Sequence, residues 1–356
     1  MTSINDETSV VMNDENITAS SNQGEFQSKV YIVHSLEKVS ECLYHRIHHA
    51  FIQALDANPR STPTHSNNDS TFTIAMSGGS IPNFLVHLPS YFTAVGIDPQ
   101  WHKWHILLAD ERLVPYEDSD SNLRLIQDKL LDQLPMIPKD QIYGINYNLL
   151  SKYLLGKSIH EKNTDPPMSS IHDLARDYQE RCLEPLWKQR ILQHNQKQNN
   201  TELHPILLDC VLLGFGPDGH TCSLFPQHSL LQEDMKWVSA LDDSPKLPLE
   251  RITLTLPVLN QMSRDIIFVG VGSGKKRIVQ EIFVSMETKK DDVDDLGERM
   301  IQINHLNMDN CWSTYLGKLV DLEHTPYPCA MIRPQGKHTS LSWILDDDAA
   351  ASFLLL

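Results

Sequence analysis

With 356 residues, 40% of them hydrophobic and 21% charged, the chain has ordinary globular composition and the length of one large α/β domain or two modest ones. A formal net charge of -16 argues against non-specific binding to nucleic acid or to an anionic membrane, since both need basic patches; it leaves room for an anionic small substrate, which a few local Arg and Lys residues decide. No apolar stretch approaches the length of a membrane span.

Residues 1–25 are polar and include Asp6, Glu7, Asp14 and Glu15. They lack the basic, apolar character of a signal peptide and the Arg-rich, acid-poor character of a transit peptide, so a disordered tail over 1–28 and a cytoplasmic protein are expected. A short strand follows at 29–34. From Leu36, the series Leu36, Val39, Leu43, Ile47, Ala50, Phe51 and Ala54 predicts a long amphipathic helix. Asn58 to Ser70, rich in Pro, Ser, Thr and Asn, reads as a loop. The strand 71–76 opens into Ser77-Gly78-Gly79-Ser80 and then a helix that Pro82 starts and Phe84, Leu85 and Leu88 continue. The strand 104–109 stops at Asp110-Glu111-Arg112, and 121–134 is helical. A loop-rich insertion over about 151–170 precedes a helix from Ile171 through Leu186, and a solvated Gln/Asn-rich insertion covers 192–201.

The apolar run 207–213 reads as a buried strand ending in the turn Gly214 to Pro226. Residues 251–256 read as an alternating strand and 265–271 as an apolar one. The latter opens into Gly272-Ser273-Gly274-Lys275 and a helix through Ile278 and Ile282. An acidic insertion spans 288–328, and 330–345 returns to strand character. Strands alternating with helices predict a mostly parallel, doubly wound, Rossmann-like sheet with helices on both faces. The expected organisation is a single large α/β domain over 29–350 with surface insertions. Six cysteines, far apart and without a CxxC pair, read as reduced thiols.

Four loops follow predicted strands, at Ser77 to Ser80, Asp110 to Arg112, Gly214 to Cys222 and Gly272 to Lys275. In a parallel sheet they converge on one crevice. His220, on a rigid turn with Asp218, is suited to be a general base at cellular pH, or the two side chains only satisfy their turn. Gly78 and Gly79, before a helix N-terminus, suit a phosphate cradle or simply a structural turn. Arg112 offers a fork for phosphate or carboxylate, or pairs with Asp110 and Glu111; Lys275 is a second candidate cation. There is no GxxxxGK[ST] loop, no complete dinucleotide fingerprint and no G-x-S-x-G elbow, so no cofactor is expected. Seventeen histidines lack ligand spacing, and no metal site is expected. The residues point to general-base hydrolysis of a phosphorylated small molecule at an acyl carbon.

The same stretches resemble 6-phosphogluconolactonases, enzymes of the oxidative pentose phosphate pathway. The resemblance rests on Met76 to Ser80, Asp110 to Pro115, Gly214 to Pro226, Asp243 to Lys246, Arg251 to Asn260, Gly274-Lys275 and Trp343 to Asp346, in order over about residues 29–350. It implies metal-independent hydrolysis of 6-phospho-D-glucono-1,5-lactone, with His220 activating water and Asp218 orienting it. It also implies that Ser77, Gly78, Gly79 and Arg112 bind the 6-phosphate side of the substrate and that Arg251 and Lys275 line the crevice, in a protein expected to be monomeric. Glucosamine-6-phosphate deaminases share the fold, but they continue past the histidine with an Asn-Glu-Pro type sequence, whereas here Thr221-Cys222-Ser223-Leu224-Phe225-Pro226 follows. The other alternative is a lactonase-like protein without activity, acting as a binding or regulatory module.

Overall fold

Apolar runs bounded by glycine turns become strands, and the computed structural model describes them within residues 26–55, 70–160, 169–197, 206–288, 312–336 and 338–353. The strands are β1 (Gln27–Val33), β2 (Phe72–Met76), β3 (Trp104–Leu108), β4 (Asp110–Arg112), β5 (Ile142–Tyr143), β6 (Leu208–Gly214), β7 (Val238–Leu241), β8 (Arg251–Leu254), β9 (Ser263–Gly270), β10 (Phe283–Thr288), β11 (Trp312–Leu319) and β12 (Ser340–Asp346). The helices are α1 (Leu36–Leu55), α2 (Leu88–Ala94), α3 (Asn122–Lys129), α4 (Tyr147–His160), α5 (Ile171–Tyr178), α6 (Glu184–Lys197), α7 (Leu256–Gln261), α8 (Lys276–Ile282), α9 (Pro328–Met331) and α10 (Asp347–Ala350).

Nine strands form one sheet in the order β10-β11-β1-β12-β9-β6-β2-β3-β5. From β1 through β5 every pairing is parallel, and β11 runs against both its neighbours. All five residues of β2 and of β3 are buried, which requires cover on both faces. The fold is therefore the mostly parallel α/β sheet that the alternation of elements predicts. Helix α1 buries Val39, Cys42, Leu43, Ile47, Ala50, Phe51 and Ala54 at helical spacing and packs across β6, β9 and β12. Of these, Val39, Leu43, Ile47 and Phe51 each contribute about 1.5–3 kcal/mol when fully buried.

The parallel register sends the carboxyl ends of β2, β6 and β9 to one edge, so the loops 77–80, 214–226 and 272–275 meet there. Several expectations change. Asp110–Arg112 is not a loop but β4, which pairs with β8 in a separate antiparallel sheet β4-β8-β7. Strand β8 does not alternate: its four residues are all buried, and Leu256 opens a helix instead of extending the strand. The helix after Ser80 is broken into a 3₁₀ turn, Ile81–Leu85, and α2. Pro89 would clash with the carbonyl of residue 85 in a continuous helix. Residues 151–160, expected as loop, are helical in α4, because Leu150, Tyr153 and Leu154 repeat at helical spacing while the polar cluster comes later. Residues 192–197 complete α6, their Gln and Lys being good helix formers. Residues 312–319 are not insertion but a strand of the main sheet, and Gln27 and Ser28 already belong to β1. The tail 1–25, the loop 58–69 and residues 161–168, 198–201 and 289–311 of the expected insertions lie outside the described residues. Five cysteines, Cys42, Cys182, Cys210, Cys222 and Cys329, are free and buried. No helix among the described residues is long and apolar enough to cross a membrane.

Candidate active site

The turn after β6 is tied to its surroundings at almost every residue. Thr221 Oγ1 donates to the Gly214 carbonyl at 2.8 Å, and the Gly216 N–H donates to the His220 carbonyl at 2.8 Å. Gly219 sits at φ +81°, a left-handed conformation that glycine adopts without strain. Ser223 Oγ donates to Asp110 Oδ2 at 2.9 Å, which fastens the turn to the second sheet. The His220 ring stacks on Phe225 with centroids 5.1 Å apart. The residues following the histidine thus hold it rigid.

His220 Nδ1 lies 2.5 Å from Asp218 Oδ1, and Lys246 Nζ lies 3.0 Å from Asp218 Oδ2 and 3.0 Å from His220 Nδ1. At 2.5 Å from a carboxylate, Nδ1 carries the proton and donates it, so Nε2 of the neutral ring is the bare acceptor. Burial pulls the imidazole below its usual pKa range, against the hydrogen bond and charge of Asp218 and with the charge of Lys246. Burial works to raise Asp218, but His220 and Lys246 outweigh it and hold that carboxyl at about 2. Gly216 borders this pair so closely that a Cβ there would stand 2.0 Å from His220 Nδ1.

Lys275 reaches the same turn from beyond β9. Its ammonium donates to the Phe215 carbonyl and lies 5.4 Å from the Phe215 ring centroid. Burial lowers its pKa, and the nearby Lys246 charge adds to the effect. Arg251 is placed differently from the expectation of a crevice-lining cation. Its Nε donates to the Pro248 carbonyl at 2.8 Å and its Nη2 to the carbonyls of Lys246 and Leu247 at 2.9 and 3.1 Å. The guanidinium clamps the loop that presents Lys246, while stacking on Phe225 at 5.7 Å.

Arg112 stands opposite Arg251 in the β4–β8 register. Among the described residues its guanidinium makes no ion pair with Asp110 or Glu111; Nη1 donates to the Asp120 carbonyl at 2.8 Å, and the buried Nε has no partner. Glu111 turns inward instead. It accepts from the backbone N–H of Arg112, Asn122 and Leu123 at 2.7–2.8 Å and holds the start of α3, with burial pushing its pKa up to about 7. Asn122 then donates to the Asp110 carbonyl at 2.9 Å and lies against Gly78, where a Cβ would come 1.8 Å from its Oδ1. Gly79, at φ +66°, faces open space. Ser77 Oγ accepts from the Gly214 N–H at 3.1 Å and joins the ends of β2 and β6. Because only a 3₁₀ turn follows Ser80, an α-helix dipole does not point at this glycine loop.

His220, Asp218 and Lys275 therefore come together, Arg112 and Arg251 form a second cationic group, and Ser77, Gly78 and Gly79 line the β2 end. Sequence reasoning missed Lys246 and Asn122. Lys246 lies in the Asp243-Ser244-Pro245-Lys246 stretch of the resemblance, which was the available signal; nothing local marks Asn122. Among the described residues no three His, Cys, Asp or Glu side chains gather closely enough to hold a metal ion.

The chain is similar to known proteins. A family model described as glucosamine-6-phosphate isomerases/6-phosphogluconolactonase matches residues 43–303. A rice protein (Oryza sativa subsp. indica) named probable 6-phosphogluconolactonase 3, chloroplastic, is 38% identical over 222 residues, covering 62% of this chain; the match spans only 58% of the rice protein's length. Human 6-phosphogluconolactonase is 32% identical over 281 residues, covering 78% of this chain and 80% of the human one. The solved 6-phosphogluconolactonase of Trypanosoma brucei superposes with a TM-score of 0.55 at 18% identity, covering 92% of this chain and 99% of that one.

Proposed function

Because the chain belongs to the glucosamine-6-phosphate isomerase/6-phosphogluconolactonase family, we propose that it hydrolyses 6-phospho-D-glucono-1,5-lactone to 6-phospho-D-gluconate. One observation carries the choice of chemistry: Asp218 Oδ1 lies 2.5 Å from His220 Nδ1, which leaves Nε2 as a base in a fixed position. Water attacks the lactone C1 as its proton passes to Nε2, and a tetrahedral oxyanion forms. The C1–O5 bond then breaks and the Nε2 proton goes to O5, giving the open-chain alcohol and the carboxylic acid, which ionises.

Asp218 holds the tautomer and stabilises the imidazolium, and Lys246 holds Asp218. The Lys275 ammonium stabilises the oxyanion. Arg251 keeps the Lys246 loop in place through three carbonyls. Arg112, with its unpartnered buried Nε, takes the 6-phosphate together with the backbone of Ser77, Gly78 and Gly79. The roles proposed here call for no metal ion and draw on the residues of one monomer. Five buried free thiols suit a reducing compartment such as the cytoplasm.

The test is hydrolysis of freshly made lactone by purified protein, with EDTA present and the uncatalysed rate subtracted. Rapid turnover that His220→Ala reduces by about 10²–10⁴ is the expected result. No rate above background from folded protein refutes the proposal and favours a binding module.

A further inference from the structure

The segment after β11, which the sequence assigns to an acidic insertion, lies against the turn that carries His220. Gly219 has no side chain, and a Cβ there would come within 2.5 Å of Tyr327 Cδ1 and 2.8 Å of Tyr327 Cβ. Two residues on, the Cys329 N–H donates to the Gly219 carbonyl at 3.0 Å. On its far side the Tyr327 hydroxyl donates to Glu281 Oε2, whose other oxygen accepts from Arg277 Nε at 2.7 Å. Glu281 and Arg277 belong to α8, which begins immediately after Lys275. One half-buried side chain thus touches the His220 turn with its ring and, with its hydroxyl, the helix that leads from Lys275.

We propose that Tyr327 is a positioning residue for the hydrolysis, its ring packing under Gly219, fixing the Gly216–His220 turn and keeping water from the turn's underside. This rests on the reading of His220 as the base. The physical ground is that Gly219 could flex freely at its positive φ, and a flat ring packed on it removes that freedom. Positioning errors are expensive, since a displacement of about 1 Å at a reacting group costs on the order of 10²-fold in rate. The groups facing His220 are Asp218 on its own turn, Lys246 from the 243–250 loop, Asp110 from β4, and Arg251 of β8 beyond Phe225; Lys275 faces Asp218. None of these changes when Tyr327 is replaced, so a changed His220 titration reports the packing of the turn.

The experiment compares Tyr327→Ala and Tyr327→Phe with wild type in lactone hydrolysis. It also follows the pH titration of the His220 ring by NMR in the free protein, with the resonance assigned from a His220→Asn spectrum. Tyr327→Ala is expected to lower kcat ten- to a hundredfold with KM within threefold. Its His220 midpoint should move upward, because burial is what depresses it. Tyr327→Phe keeps the ring and is expected to stay within twofold on kcat with an unmoved midpoint. If a thermal melt shows Tyr327→Ala to be unfolded, Tyr327→Leu, which lacks the flat ring but keeps apolar bulk, takes its place with the same expectations. An unchanged kcat and midpoint in the ring-less variant, or equal losses in the Phe and Ala variants, overturns the proposal. Should wild type not turn over lactone, the catalytic reading fails, and the NMR midpoint alone still decides whether Tyr327 packs the His220 turn.

Discussion

Replacing Gly216 by alanine adds a single methyl group at the point where the site has no space. The new Cβ would stand 2.0 Å from His220 Nδ1 and 2.2 Å from Asp218 Oδ1, whereas ordinary contact begins at 3.4 Å. The ring and the carboxylate must each retreat by roughly 1.2–1.4 Å. Gly216 is not among the positive-φ positions, so alanine meets no left-handed-backbone penalty there and the close contact dominates the perturbation. A shift of about 1 Å at a general base costs on the order of 10²-fold in rate. Overpacking a tight site costs about 1–3 kcal/mol in stability, less than the ~5–15 kcal/mol of a typical domain. The expected result is a drop in kcat/KM for lactone hydrolysis of about a hundredfold, while the thermal midpoint moves by only a few degrees. Wild-type turnover from folded Gly216→Ala protein would refute the assignment of water activation to this histidine–aspartate pair.

Arg112→Ala should raise KM for the phosphorylated lactone about ten- to a hundredfold, the worth of a lost charged hydrogen bond, and leave KM for the unphosphorylated lactone within threefold; equal effects on both would show that Arg112 does not read the phosphate. Lys246→Met should lower the plateau of kcat/KM and move its acid limb to higher pH, because the Lys246 charge, 3.0 Å from Nδ1, contributes to depressing His220. An acid limb that stays in place, or moves down, contradicts the electrostatic account. For Glu111 the sign follows from burial raising an acid. Between its ordinary 4.5 and about 7 the folded chain binds a proton that the unfolded chain does not, so this group's contribution to stability is present at low pH and is lost as pH rises through that window. The loss amounts to about 3 kcal/mol at most. Urea unfolding at pH 5 and pH 7.5 should show this decline in wild type and a flatter response in Glu111→Gln, and parallel pH responses would exclude it.

Much of the fold is legible along the chain because its signals are local. The 3.6-residue spacing of Val39, Leu43, Ile47, Ala50 and Ala54 marks α1, and the apolar runs before Ser77, Gly214 and Gly272 mark β2, β6 and β9. Glycine placement announces the turns, and Asp218 with His220 is visible as a pair two residues apart. Short or edge elements escaped for equally physical reasons. Strand β7 is only four residues long, β4 is three polar residues, and β11, next to the edge strand β10, is mostly half-buried, so none carries a clear period.

By itself, then, the sequence determined the parallel α/β plan, the rigid turn that presents His220, and the family. Tertiary structure alone decided which charges meet. Lys246 lies 26 residues from His220 and reaches it only because β7 and β8 fold back as a pair and Arg251 ties down the loop between them. Arg112 and Arg251 face one another only through the β4–β8 register, and Tyr327 lies under Gly219 from 108 residues away. Secondary structure follows from periodicity within a few turns of chain, but such encounters depend on strand register and loop closure, which are settled by the packing of the whole domain.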